Sequence, residues 1–591
     1  MPSDIATLLK VPTTVAYDID PEGRVLAGNN ESGSTQLYEI TPDGAWTQLT
    51  YLDGPCSGRY LPGERTVVVE HDSGGNERGQ LSLLKLDGDR ELIPLVHDER
   101  FVHRIVDVMS GRVVYSTNRR NNIDFDVVVR DIATAEDRVV YDGGGWIMQV
   151  AVSPDEAHVV LTRPGAAAGS YQLLLVDART GAVDALFGDD EAVRSAFPRW
   201  LPDSSGFTFT TNADRDFSGV ARYELATRSW KYHLIGSGEA AGWPSPDGSK
   251  LVFSLRNDGA DTVVVHPSRP ETVASTVDIP EGSVATEAPP VWSPGGERLA
   301  LTVTSPTEPA EIYLWDGRTT RRLTNAAASL DRSDLVAPES HRIKAPDGEE
   351  IPCFLYRPLK GDGSVVLLIH GGPESASVRG WSAVVQALLG AGHAVAVPNV
   401  RGSAGYGKRW LSLDDVRLRL DSVADLAAIH AWLPTVGLDP NRAALYGGSY
   451  GGYMVLAGLS MQPELWAAGV DIVGISSLVT FLENTSKYRR AAREREYGSL
   501  ENDREFLEQA SPLTHIQNVR APLMVLHGAN DPRVPLSEAE QLAAAVRSRG
   551  VECEMHVYDD EGHGLSKMRN RLDAYPRVLE FLNRHLKSLG Q

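Results

Sequence analysis

Over residues 12–334 short apolar runs alternate with turns. A Pro-containing signal recurs as Asp20-Pro21-Glu22-Gly23, Leu61-Pro62-Gly63, Ser153-Pro154-Asp155, Leu201-Pro202-Asp203, Ser245-Pro246-Asp247-Gly248 and Ser293-Pro294-Gly295-Gly296. An apolar strand follows each, such as Thr66-Val67-Val68-Val69, His158-Val159-Val160-Leu161 or Leu251-Val252-Phe253. Second strands end in residues such as Leu37-Tyr38 or Ile312-Tyr313-Leu314-Trp315, and one repeat, around Gly111-Arg112-Val113-Val114-Tyr115, lacks the proline. Pro suits these turns because it fixes φ and needs no ladder donor. The signal returns about every 46 residues, the period of a four-stranded β-propeller blade, and seven such units fit.

From residue 335 the pattern changes. The segments Val365 to His370, Ala394 to Val400, Ala443 to Tyr446, Val470 to Val473, Leu523 to His527 and Cys553 to Tyr558 are mostly apolar on both faces. Helical patterns lie between or after them, over Asp421 to Leu433, Gly452 to Met461, Ser537 to Arg549 and Tyr575 to Leu589. Strands alternating with helices predict a parallel sheet covered on both sides. The expected division is therefore an all-β propeller over 12–334 and a parallel-sheet α/β domain over 335–591, with residues 1–11 as a short segment packing on the latter.

Composition narrows the function. The chain has 591 residues, 42% hydrophobic and 23% charged, which is globular and not disordered. Its net charge of −22 argues against nucleic acid as a partner, because phosphate binding needs a basic face. The apolar runs are too short to span a bilayer, so no membrane partner is expected, and Met1 to Lys10 has no basic region before a long apolar run, so no secretory signal is expected. Cys56, Cys353 and Cys553 lie far apart, with no CxxC pair and no metal-ligand cluster. These features predict a reducing, cytoplasmic location, with no metal and no cofactor.

The chemistry concentrates in Gly447-Gly448-Ser449-Tyr450-Gly451-Gly452, between a predicted strand and a predicted helix. That is a G-x-S-x-G turn in the context it requires, with Ser449 as the nucleophile of an α/β hydrolase. Side chains at Gly447 or Gly451 would clash with neighbouring elements. A serine hydroxyl needs a base, and the base needs an orienting acid. In the chain order Ser, Asp, His, the candidates are Asp531, just past the strand ending at His527, and His563, in the glycine-flanked loop Glu561-Gly562-His563-Gly564. The developing oxyanion needs donors. The N–H of Tyr450 is one candidate. The second is Gly372, with Gly371 as the alternative, in His370-Gly371-Gly372-Pro373 after an early strand.

These motifs, with Asn399-Val400-Arg401-Gly402-Ser403-Ala404-Gly405-Tyr406-Gly407, Ser511-Pro512-Leu513 and Asp531-Pro532-Arg533-Val534-Pro535, resemble the prolyl oligopeptidase family of serine peptidases, especially its acylaminoacyl-peptidase branch. The resemblance covers nearly the whole chain. It implies that Arg533 hydrogen-bonds a substrate backbone carbonyl, a task suited to a guanidinium fork. It implies an oxyanion donor at Tyr406 in one branch, whereas the glycine loop takes that role in acylaminoacyl peptidases. It also implies a propeller that limits substrates to short peptides. The sequence departs from the dipeptidyl-peptidase pattern: its adjacent glutamates, Glu349-Glu350, lie in the hydrolase half and not on the propeller. A single Glu, or Asp189-Asp190, would have to bind a free amine instead.

Three readings compete. The first is a serine peptidase for short, N-acylated peptides, with an acyl-enzyme and esterase side activity. The second is an amide or ester hydrolase of a small acylated metabolite, or an aminopeptidase. The third, a propeller binding module with an inactive hydrolase, conflicts with the intact Ser449, Asp531 and His563. An acyl pocket would separate the first two, and Phe481, with Leu478 and Leu482, is the candidate lining. The expected partner is a short peptide or an acylated small molecule; a homo-oligomer is an allowed state.

Overall fold

The computed structural model describes residues 4–267, 274–285, 288–328 and 330–587. Among the described residues seven antiparallel sheets succeed one another from Thr14 to Arg322, six of four strands and a seventh of five. Each uses consecutive strands, so each is one blade. The repeated Ser-Pro turns have a common bond. The hydroxyls of Ser153, Ser245 and Ser293 each accept the N–H of the residue five positions on, at 2.9, 3.0 and 3.0 Å. That bond closes the hairpin between the first and second long strands of a blade. The unit without proline turns at Gly111, φ 66°, in the left-handed region open to glycine.

Among the described residues no blade combines strands from both ends of the propeller, so side chains close the ring. Ala16, Ile19, Val25, Ala27 and Ile40 of the first blade share one buried cluster with Ala300, Ile312, Leu314 and Leu323 of the last. The Ala16 N–H donates to Thr302 Oγ1 at 2.9 Å across the seam.

The second half carries one eight-stranded sheet in the order Glu339–Lys344, Glu350–Tyr356, Ala394–Pro398, Val365–Ile369, Ala443–Gly448, Ala468–Ile472, Leu523–Gly528, Cys553–Tyr558. The first two strands run antiparallel and the rest parallel. Helices Arg419–Trp432, Tyr450–Met461 and Leu536–Ser548 pack on one face; Ala383–Gly390 and Met568–Leu586 pack on the other. Together the halves are a seven-bladed β-propeller and an α/β hydrolase.

One helix differs from its sequence expectation. It begins at Met568, not Tyr575, with Pro576 in its interior; Leu589 lies outside the described residues. The added turns bury Met568, Leu572 and Tyr575 against Ile5, Leu8 and Leu9 of the N-terminal helix Ile5–Leu9, together with Ala383 and Ala387. Tertiary packing there outweighs the hydrogen bond that Pro576 removes. No described helix is long and apolar enough to cross a membrane.

Because the propeller closes through side chains, truncating the seam should open it. Ile312 is fully buried there. Ile312→Ala should destabilise the propeller by about 2–5 kcal/mol, read by urea unfolding through the fluorescence of the nearby Trp292 and Trp315. An unchanged midpoint would place closure elsewhere.

Candidate active site

Ser449 sits between strand Ala443–Gly448 and helix Tyr450–Met461 at φ 57°, ψ −117°. A non-glycine residue held at positive φ is strained, and surrounding packing must maintain it. The packing is visible. A Cβ on Gly447 would approach the Gly451 carbonyl oxygen to 2.3 Å, and one on Gly451 would approach the Ile369 oxygen to 2.2 Å. The Ser449 N–H donates to Ile472 O at 2.8 Å.

His563 and Asp531 come together at this turn. Ser449 Oγ lies 2.9 Å from His563 Nε2, and His563 Nδ1 lies 2.7 Å from Asp531 Oδ2. The Asp531 side chain has no exposed surface, and its other oxygen accepts the N–H groups of Arg533 and Val534 at 2.8 and 3.0 Å. With Nδ1–H donated to the carboxylate, Nε2 is the nitrogen left to accept a proton from Ser449. A hydroxyl, an imidazole and a carboxylate so connected can generate an alkoxide nucleophile and return its proton to a leaving group.

The loops themselves meet backbone to backbone. A Cβ on Gly528 would lie 2.1 Å from Gly562 O, and one on Gly562 would lie 1.9 Å from Gly75 O of a propeller loop. Asn530 Nδ2 donates to Gly74 O at 3.0 Å. The propeller therefore presses directly on the segments that carry Asp531 and His563.

The glycine loop is also adjacent. A Cβ on Gly371 would lie 3.4 Å from the Ser449 Cβ; Gly372, at φ 137°, has its carbonyl bonded by Arg493 Nη1 at 3.2 Å. The Tyr450 N–H opens its helix and has no intrahelical acceptor. The Tyr406 hydroxyl accepts Asn399 Nδ2 at 2.9 Å, and among the described residues it has no hydrogen bond to Ser449 or His563. Arg533 is two-fifths exposed, and its Nε donates to Glu77 Oε1 of the propeller at 2.5 Å. Phe481 departs from the pocket expectation: it is 97% buried in the hydrolase core, edge-on to Tyr497. Leu478, Phe481 and Leu482 follow helical spacing because that stripe faces the core of helix Leu478–Asn484.

Sequence reasoning missed the ionic group beneath the nucleophile. The fully buried Arg419 bonds Asp414 and Glu496 and stacks on the rings of Tyr450, 5.2 Å, and Tyr497, 4.7 Å. Burial pushes Glu496 up to about 8, with Arg419 opposing. Asp414, Asp415 and Glu496 have metal-ligand proximity, but the guanidinium already supplies the cation between two of them. No sequence signal linked residues 77 positions apart. The same holds for Glu77, Trp146 and the helix Lys487–Tyr497, which converge on the site from distant segments.

Residues 379–589 match the model of the prolyl oligopeptidase family. The chain is 31% identical over 290 residues to dipeptidyl aminopeptidase BIII of Pseudoxanthomonas mexicana, covering 46% of this chain and 42% of that protein. It is 28% identical over 236 residues to an acylamino-acid-releasing enzyme of Arabidopsis thaliana, covering 38% and 30%. These matches thus span less than half the length of the curated relatives. Among solved structures, a Mycobacterium tuberculosis puromycin-hydrolyzing peptidase superposes with a TM-score of 0.87 at 19% identity, over 100% of this chain and 97% of that one. The Pyrococcus horikoshii acylaminoacyl peptidase gives 0.74 at 19%, over 100% and 98%. At that identity the likeness is one of fold.

Asp471 sits under the serine turn, fully buried, with no hydrogen-bond partner of good geometry for either oxygen among the described residues. Burial pushes its carboxyl up to about 7. A folded state that holds the proton more tightly than the unfolded chain gains stability at low pH and loses it as pH rises from about 4 to 7. Wild type should therefore fall relative to Asp471→Asn by up to about 4 kcal/mol between pH 4 and pH 8. Urea unfolding of both proteins at the two pH values measures this; a constant difference would contradict it.

Proposed function

We propose, from the premise that residues 379–589 are a prolyl oligopeptidase family domain, that this chain is a serine peptidase acting on short, N-acylated peptides. The observation that carries the reading is the continuous Ser449–His563–Asp531 chain beside the Gly371-Gly372 loop. We take 335–591 as the catalytic domain and 12–334 as the propeller that limits access. Ser449 Oγ attacks the scissile carbonyl and its proton passes to His563 Nε2. Asp531 orients the ring and stabilises the imidazolium. The N–H groups of Gly372 and Tyr450 receive the oxyanion, with Tyr406 held in its bond to Asn399. Collapse expels the amine, which takes the proton from His563; water, deprotonated by the same imidazole, then frees the acyl group from Ser449. An ester enters the same cycle with an alcohol as leaving group.

The preference for a blocked amino terminus has its own support. Glu77 is a propeller carboxylate at this wall, and Arg533 bonds its Oε1. A substrate ammonium would compete with that guanidinium for the carboxylate. Arg533 keeps Nη1 and Nη2 without hydrogen bonds among the described residues, available to a substrate carbonyl. We place the chain in the cytoplasm, supported by three free thiols, two of them buried.

Ser449→Ala and His563→Ala should each lower kcat by several orders of magnitude on an N-acetyl peptide. The double variant should lose little more, because the residues act as a unit. Losses that multiply would contradict the triad.

Arg533→Ala should lower kcat/KM for that peptide by roughly 10- to 150-fold, the equivalent of a charge-assisted hydrogen bond of about 1.5–3 kcal/mol. Hydrolysis of p-nitrophenyl acetate, which has no such carbonyl, should change little. Equal losses on both substrates would mean that Arg533 supports Asp531 geometry instead.

A further inference from the structure

The helix Lys487–Tyr497 spans the space between the two loops that flank Ser449. At its start, Thr485 Oγ1 donates to Arg533 O at 2.7 Å, and Ser486 Oγ donates to Pro532 O at 2.7 Å. Further along, Arg493 Nη1 donates to Gly372 O at 3.2 Å. Arg489 lies one turn before Arg493 on the same face. It therefore sits between the segment carrying Asp531 and the glycine loop.

Arg489 is 91% buried, yet its guanidinium donates no hydrogen bond among the described residues. Its contacts are the Trp146 ring, 4.7 Å from the guanidinium carbon, the Tyr488 ring at 6.0 Å, and Glu77 Oε2 at 4.0 Å. Glu77 is already bonded through its other oxygen to Arg533. Two guanidinium groups thus face one carboxylate, and the donors of Arg489 are left unused at the wall of the site. A buried cation with unused donors is costly, and this one lies between the segment carrying Asp531 and the glycine loop in a chain whose net charge is −22. The general field of the protein repels anions; the unused guanidinium donors of Arg489 are the local feature that would attract one.

We propose that Arg489 is the substrate-reading residue for an anion, taking a carboxylate borne by the peptide near its scissile bond. This rests on the peptidase reading above. The propeller supplies the seat, with Trp146 under the guanidinium face and Glu77 fixing its edge, and Arg533 remains free for a backbone carbonyl. The carboxylate can belong to an acidic side chain or to the peptide's own C-terminus. Both sources present the same planar pair of oxygens to a guanidinium fork.

The test uses the full-length chain and three matched pairs. N-acetyl-Glu-p-nitroanilide against its Gln analogue places the charge beside the bond. N-acetyl-Glu-Ala-p-nitroanilide against its Gln analogue places it one residue back. N-acetyl-Phe-Ala as acid against amide places it on the leaving side. In one pair the acid should exceed the neutral partner in kcat/KM by about 10- to 100-fold. Arg489→Met should bring that ratio close to one, mainly through KM, and Arg489→Lys should keep part of it. The responding pair identifies the source of the carboxylate. Ratios near one in all three pairs for wild type would overturn the proposal, as would an Arg489→Met ratio equal to that of wild type. Fluorophosphonate labelling of Ser449 separates the two levels. An unlabelled wild type sinks the peptidase reading itself, whereas a labelled enzyme without acid preference sinks only the role of Arg489. Labelling of both variants shows that they are folded.

Discussion

Ser449 is held at a backbone conformation that an isolated serine would leave, and the rest of the catalytic half is arranged so that it cannot. The strand before it packs so closely on the helix after it, and that helix so closely on the neighbouring strand at Ile369, that Gly447 and Gly451 admit no Cβ. Strain of this kind costs on the order of 1–3 kcal/mol and persists only where packing over-determines it. The close approach to Ile369 O also brings the Gly371-Gly372 loop within reach of the nucleophile. One steric requirement therefore positions both the hydroxyl and the loop assigned to the oxyanion.

Beneath that turn the protein keeps an ionic group in the interior. Arg419 bridges Asp414 and Glu496 while its planar face lies on Tyr450 and Tyr497. A buried ion pair adds little net stability over apolar residues, but losing one partner leaves a charge without compensation. Its structural effect is directional. The bonds tie the segment 412–419 and the helix Lys487–Tyr497 to the ring of Tyr450, the residue whose N–H faces the oxyanion in the proposed mechanism.

The propeller contributes more than a cover. Its loop at Gly74-Gly75 abuts Gly562 and Asn530, Glu77 bonds Arg533, and Trp146 supports Arg489. The triad loops thus have a wall that the hydrolase domain does not supply. A change of propeller position would alter the charge at that wall along with access to it.

Sequence and structure divide along physical lines. The β-propeller was legible because its blades repeat a local solution, a tight turn that contains proline in all but one of them, followed by an apolar strand, every few tens of residues. The serine turn was legible because its glycines are a local steric requirement, and Asp531 and His563 because loops at the ends of parallel strands fall at one edge of the sheet. The last helix was misjudged at its start, since Pro576 is a local signal that packing against Ile5, Leu8 and Leu9 overrides. Phe481 was misassigned because helical spacing shows that a stripe is apolar but not whether it meets a pocket or the core. Arg419 with Glu496, and Arg489 with Glu77, are pairings of residues far apart in the chain, whose charges attract only once folding has excluded water from between them. By itself the sequence determined the elements and the residues able to react; the tertiary structure alone decided which charges face one another around them.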